Sequence, residues 1–245
     1  MEAGRYDLLV FREAVVAARR PDLLLRHCRF GTNVIEIGVE EIAHRLSDVR
    51  TVIEAGALNG SDTVALATQW PNATVHAFEP VPTAFAEVTE RTSHLTNVRR
   101  YQLALADRTE SRTLHVSANA EGGYRPDSSS LLKPTGHLVE IPSVTFAEDI
   151  TVDAVTLDDW AVQERVTSVD LLWLDLQGME MAVLNAAPNV LAHTQAIMME
   201  VSRREMYAGS PLYPDVVRWM RTRGFRPVVD RVWTLFGNIL FLRAD

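Results

Sequence analysis

Thr51-Val52-Ile53-Glu54-Ala55-Gly56-Ala57-Leu58-Asn59-Gly60 runs straight into Ser61-Asp62-Thr63-Val64-Ala65-Leu66-Ala67-Thr68-Gln69. The first six residues are a β-branched run closed by glycine, and Ser61–Gln69 is rich in alanine and suited to a helix. Strand, glycine bend and helix is the opening unit of an α/β layer, and the same alternation repeats downstream. Strands are expected at Thr74–Phe78, Val98–Leu103, Leu171–Leu174 and Ala196–Val201, with helices at Thr83–Ser93, Met179–Ala187 and Tyr213–Arg223. Alternating elements of this kind imply a mostly parallel sheet with helices on both faces. The chain closes with apolar runs at Arg226–Val229 and Thr234–Leu242, joined by a connection too short for a parallel crossover. The last of the seven strands is therefore expected to be antiparallel.

Upstream, apolar residues recur at helical spacing between Tyr6 and Cys28, interrupted at Pro21, so residues 1–48 read as an N-terminal helical cap before a domain spanning 49–245. Between the third and fourth strands, residues 119–137 form a polar excursion rich in Gly, Pro and Ser, expected to be a lid or a disordered loop.

Composition narrows the class. The chain has 245 residues and is 47% hydrophobic, enough for one sizeable core. Lys+Arg 24 against Asp+Glu 32 gives a net charge of -8, and no basic cluster marks a site for nucleic acid or anionic lipid, so neither is an expected partner. One cysteine, Cys28, offers no intrachain disulfide; with no signal-like start and no apolar run of membrane-spanning length, a cytoplasmic protein is expected. A homo-oligomer stays open, since the N-terminal helices either cover the pocket or pair with a second subunit.

The glycine bend carries the first chemistry. Glycines let a backbone turn sharply and approach a ligand closely. A dinucleotide fingerprint needs glycine where this chain has Leu58, and the Lys-Ser/Thr of a P-loop is missing. Glu54 puts negative charge beside the ligand, which suits an amino or sulfonium cation better than a phosphate. Roughly 20 residues on, Ala77-Phe78-Glu79-Pro80 closes the next strand with an acid at the place from which a carboxylate takes both ribose hydroxyls. Structural readings of both motifs, a surface Glu on an ordinary αβ turn and a strand stop at Pro80, stand beside the functional ones.

A second set of acids lies further along. Leu172-Trp173-Leu174-Asp175-Leu176-Gln177-Gly178-Met179-Glu180 delivers Asp175 and Gln177 to the same carboxyl edge, and Met198-Met199-Glu200-Val201 brings Glu200 to the end of the neighbouring strand. The two acids are expected close enough to share a proton, a substrate group or a divalent ion of the Mg2+ kind, against a plain hydrogen-bond network or a helix cap. His137, at the end of the excursion, is a third candidate for a base swinging over the site, and a solvated bystander is the plainer reading of a loop histidine. His76 reads as a strand-edge or surface residue, Tyr124 and Tyr207 as pocket walls, and Trp160 and Trp173 as core.

Taken in order, Glu54–Gly60, Phe78–Pro80, Ser128–Ser130, Thr156–Trp160 and Asp175–Glu180 resemble the FkbM family of methyltransferases over roughly residues 51–241. The resemblance implies a Rossmann-like class I fold and S-adenosylmethionine as methyl donor. It also implies, most often, O-methylation of a small-molecule acceptor, a natural-product or sugar hydroxyl. On that basis Glu54, Gly56, Asn59 and Gly60 would hold the methionine end, Glu79 the ribose, and Leu103 and Ala104 the adenine. Asp175 would face both cofactor and reaction zone, and Asp175, Glu200 and His137 are the candidates for removing the acceptor's proton. Two departures stand out: Glu54 where Asp is more frequent, and Trp173 where a lysine is common, which removes a cation. Methylation on carbon or nitrogen, a nicotinamide oxidoreductase and a non-catalytic cofactor binder remain alternative readings.

Overall fold

The computed structural model describes residues 37–244. The helices expected between Tyr6 and Cys28 lie outside the described residues. From Ile37 the chain forms one compact unit. Its elements are β1 (Thr51–Ala55), β2 (Thr74–Phe78), β3 (Val98–Tyr101), β4 (Ala104–Leu105), β5 (Glu110–Asn119), β6 (Val144–Val155), β7 (Val169–Leu174), β8 (Thr194–Ser202), β9 (Phe225–Asp230) and β10 (Phe236–Arg243). The helices are α1 (Val39–Ala43), α2 (Ser61–Gln69), α3 (Pro82–Arg91), α4 (His137–Glu140), α5 (Leu157–Glu164), α6 (Glu180–Asn185), α7 (Pro188–Ala192) and α8 (Tyr213–Thr222).

The main sheet has seven strands in the order β3-β2-β1-β7-β8-β10-β9. β1 pairs in parallel with β2 and β7, β7 with β8, and β2 with β3. β10 runs antiparallel to both β8 and β9, as the short final connection requires. The order reverses between β1 and β7, which opens a crevice at the carboxyl ends of those strands.

Because side chains alternate across a strand, the sheet has two buried faces. Ile53, Ala55, Phe78, Leu172 and Leu174 share a core with Trp160. There Phe78 stacks on Tyr101 at 4.8 Å between ring centroids and meets the edge of Trp160 at 5.1 Å. His76 is also buried, 4.9 Å from the Trp160 ring, with Nδ1 3.1 Å from the Tyr101 hydroxyl; it is no surface residue, because β2 lies inside the sheet. Val52, Val75, Leu171, Trp173 and Met198 form the opposite core with Leu66, Trp70, Ile37 and Ile42.

Two sequence expectations fail between β3 and β7. The third strand stops at Tyr101, two residues early, and Ala104 instead opens β4, which pairs in parallel with β6. β4, β5 and β6 make a second, three-stranded sheet built on a long β5–β6 hairpin. Its signal was readable in the period-two alternation of Ile150-Thr151-Val152-Asp153-Ala154-Val155, where Val152, Ala154 and Val155 are buried.

The polar excursion is also neither open lid nor disorder. His115 and Ser130 exchange both backbone hydrogen bonds, at 2.9 and 3.1 Å. The Ser117 hydroxyl donates to the Arg125 carbonyl, and Thr135 and His137 both donate N–H to the Met206 carbonyl. Hydrogen bonds, not an apolar stripe, pin this segment, so hydrophobic periodicity could not reveal it.

The crevice is shaped by crowding of the chain on itself. Gly56 has φ of 87°, and a Cβ there would lie 2.1 Å from the Asp175 carbonyl oxygen. Asp175 N–H in turn donates to the Ala55 carbonyl at 3.0 Å, so β1 and β7 close on each other where the bend begins. Gly60, φ 78°, would place a Cβ 3.1 Å from the Val88 Cα of α3. Both glycines are thus required by strand and helix contact at the bend. Gly56→Ala is expected to cost about 2–4 kcal/mol of stability, measured by urea unfolding; a change within about 0.5 kcal/mol would contradict this packing.

Candidate active site

Glu54 is the fourth residue of β1 and faces the core shared by Val52 and Trp173, with Trp173 directly opposite it across the β1–β7 ladder. It is 1% exposed, and its Oε2 has no hydrogen-bond partner among the described residues. Burial pushes its carboxyl up to about 8; the nearby Thr63 hydroxyl opposes the rise, and the charges of Asp62 and Glu79 add to it. The cross-strand neighbour is an indole, so no cation from β7 offsets the burial.

Glu79 follows β2 and is also buried. Its Oε2 accepts from Leu58 N–H and its Oε1 from Val81 N–H, both at 2.8 Å. Burial raises this carboxyl to about 7, against the pull of those two N–H donors and with the charge of Asp175 adding to the rise. Leu58 sits at φ 51°, a left-handed conformation that a leucine seldom adopts. The bond to Glu79 helps to hold it there, so the acid of β2 braces the bend after β1. Asn59 spends its side-chain oxygen locally, accepting from Ser61 N–H at 3.0 Å at the start of α2. Leu103 is partly buried against the Trp160 core, while Ala104 is buried in β4 among Val81, Ala84 and Met179.

Past β7 lies a second bend. Gln177 has φ of 50° and Gly178 φ of 98°. Glu180, the first residue of α6, reaches back so that its Oε1 accepts from Leu176 N–H at 2.8 Å and Gly178 N–H at 3.4 Å. It is buried, and burial lifts its carboxyl to about 7, with the charge of Asp175 acting in the same sense. The Ser130 hydroxyl donates to the Gln177 carbonyl at 2.9 Å and ties the excursion to this bend.

Asp175 and Glu200 do come together, through Gln177: its Nε2 donates to Asp175 Oδ1 at 2.6 Å and lies 3.4 Å from Glu200 Oε2. Among the described residues, no group of three or more His, Cys, Asp or Glu side chains is arranged to hold a metal ion.

His137 does not swing over the site. It is 3% exposed, packs edge-on to Phe146 at 5.2 Å and against Tyr207 at 5.5 Å, and its Nδ1 has no hydrogen-bond partner among the described residues. Burial, with the charge of Arg125 in the same direction, holds its imidazole down at about 4. The excursion was read as mobile, but its backbone bonds fix His137 in the interior. Three further residues meet around Asp175: Gln177, expected at this edge, Tyr207, expected only as a pocket wall, and Glu180, for which no contact was expected. Gln177 and Glu180 lay within a motif already singled out; nothing local in the sequence marked what Tyr207 would touch.

A parallel sheet with one reversed strand near its edge, and acids at the strand ends beside the switch in strand order, is the Rossmann-like arrangement of class I methyltransferases. The methyltransferase FkbM domain matches residues 54–227. The 2-O-methyltransferase NoeI of Sinorhizobium fredii is 31% identical over 219 residues, covering 85% of this chain and 86% of that protein. The 31-O-demethyl-FK506 methyltransferase FkbM of Streptomyces tacrolimicus is 26% identical over 199 residues, covering 74% of each. Among solved structures, the N-terminal domain of EvdMO1, crystallised in the presence of SAH and D-fucose, aligns at 11% identity. Its TM-score is 0.48, over 95% of this chain and 97% of that one. The chain belongs to the FkbM methyltransferase family and is an S-adenosylmethionine-dependent methyltransferase.

The buried acids have a consequence for stability. Folding holds protons on Glu54, Glu79 and Glu180 that the unfolded chain releases near pH 4.5. The folded form therefore binds more protons between about pH 4.5 and about 8, and the unfolding free energy contributed by these groups falls as pH rises through that window. Glu54→Gln removes one such group, so its melting temperature relative to the unaltered protein should rise between pH 5.5 and pH 8.5. A difference that is flat with pH would remove the assignment of a raised Glu54.

Proposed function

We propose that this enzyme methylates a hydroxyl group of a small-molecule acceptor. The observation that carries the reading is the buried Glu54 carboxyl whose Oε2 lacks a donor among the described residues. Such a group fits a ligand that brings its own cation, and S-adenosylmethionine carries both an ammonium and a sulfonium. The oxygen acceptor follows from the relatives, which are named as a 2-O-methyltransferase and a 31-O-demethyl-FK506 methyltransferase.

When bound, the cofactor supplies a methyl group on a positively charged sulfur, open to in-line attack. The chain's own residues hold and orient. Glu54 and the Gly56–Gly60 bend take the amino-acid end, Glu79 accepts the ribose hydroxyls on lone pairs beside its two N–H donors, and Leu103 with Ala104 borders the adenine. Asp175, steadied by Gln177, takes up the proton of the acceptor hydroxyl, with Glu200 as its neighbour. His137, neutral and walled in by Phe146 and Tyr207, acts as packing. Positioning of this kind supplies most of the rate in a displacement reaction. The reading needs no divalent ion, because the Gln177 amide already stands between Asp175 and Glu200.

Glu79→Ala should weaken S-adenosylmethionine binding by about a hundredfold or more in calorimetry, the worth of two hydrogen bonds to a charged group at about 1.5 kcal/mol each; unchanged affinity removes the ribose assignment. Incubation with methyl-labelled cofactor and a panel of sugars and natural-product alcohols should place label on an oxygen by mass spectrometry. Label found only on carbon or nitrogen, or cofactor binding with no transfer to any acceptor, would overturn the proposal. Turnover is expected to survive exhaustive chelation, and a loss restored by added Mg2+ would bring the divalent ion back.

A further inference from the structure

Tyr207 lies in the stretch between β8 and α8, buried, with its ring facing His137 and Phe146. Its surroundings hold it still. Its carbonyl accepts from Ser210 N–H at 2.9 Å, and the neighbouring Ala208 N–H donates to the Lys133 carbonyl at 2.8 Å. The hydroxyl is 2.8 Å from the Ser128 carbonyl oxygen and also 2.8 Å from Gln177 Oε1. Both neighbours are acceptors, so the phenol's single O–H is shared between the Ser128 carbonyl and Gln177 Oε1. Burial, joined by the charges of Glu200, Asp175, Glu180 and Asp127, keeps that donor protonated by raising it well above the usual tyrosine range.

On the other side of the same amide, Nε2 faces Asp175 and Glu200. A half-turn of the Gln177 amide would set its oxygen against two carboxylates and its NH2 against the phenol. The backbone adds to the constraint, since Gln177 is held left-handed by Glu180 and Ser130. The orientation of one amide is thus fixed by a donor on one side and two acceptors on the other.

We propose that Tyr207 is a positioning residue for methyl transfer: its hydroxyl fixes the Gln177 amide with NH2 toward Asp175 and Glu200, which sets Asp175 in place to receive the acceptor's proton. The proposal rests on the reading of Asp175 as proton acceptor. It also assigns a task to the polar excursion, whose Ser128 carbonyl shares the phenol.

The test uses Tyr207→Phe, Gln177→Met and the double variant in the full chain. In the free, 15N-labelled protein, the side-chain amide pair of Gln177, identified by its disappearance in Gln177→Met, should be protected from exchange. Tyr207→Phe should shift that pair and lower its protection from exchange; an unchanged pair overturns the proposal without reference to catalysis. With the hydroxylated acceptor found by methyl transfer, Tyr207→Phe should lower kcat about tenfold while S-adenosylmethionine affinity stays within about twofold. Gln177→Met, which leaves Tyr207 in place, should lose about as much, and full activity in it overturns the proposal even if Tyr207→Phe does not fold. The double variant should be no worse than the weaker single one, because the two act as one unit; additive losses of about a hundredfold would also overturn it. Asp175→Asn separates the two readings: full activity there sinks the proton-acceptor assignment, whereas the amide signals judge Tyr207 alone.

Discussion

Glu54 and Glu79 are buried within electrostatic reach of each other, and Glu79 also feels Asp175. Carboxyl groups out of water and this close cannot all be ionised without a cation, so the free enzyme favours the protonated forms of Glu54 and Glu79. The rest of the site is arranged around that constraint. β1 and β2 end side by side, the bend after β1 is tied to Glu79 through Leu58, and Trp173 fills the place across the ladder where a basic side chain would relieve Glu54. In the proposed reading, the positive charge of the methyl donor favours release of the proton that burial retains.

Backbone crowding sets the geometry in which the acids act. Gly56 against the Asp175 carbonyl leaves no room for a side chain, Gly60 is tight against Val88, and Leu58 between them takes up a left-handed turn. A matching bend after β7 puts Gln177 in the same unusual region. Strain of this order, about 1–3 kcal/mol per residue, persists only where the surroundings over-determine it. Here the over-determination comes from Glu79 on one bend and from Glu180 and Ser130 on the other. The segment between Asn119 and His137 takes part in this bracing, which explains serines without an apolar period.

Much of this was legible in the sequence, and for identifiable reasons. The strand–bend–helix at Thr51–Gln69, the acid after Phe78 and the short final connection are local patterns, decided by residues within a turn or two of one another. They sufficed for the seven-stranded sheet, its reversed strand and the candidate acids at its edge. The second sheet has a weaker local signal: only Ile150–Val155 alternates, and its partner β5 is largely polar. His137 was misplaced for a related reason: burial of a loop histidine depends on what closes over it, here Phe146 and Tyr207.

Sequence by itself determined the order of strands and helices, the glycine at each crowded bend and the presence of an acid at or near the carboxyl ends of β1, β2, β7 and β8, since each follows from short-range pattern. Tertiary structure alone decided which groups are deprived of water and which meet across long separations. The hydroxyl of Tyr207 reaching Gln177, the Ser130 hydroxyl reaching the same residue, and Trp173 opposite Glu54 are pairings made by packing. Burial and hydrogen-bond direction are properties of a neighbourhood, and a neighbourhood exists only once distant segments have been brought together.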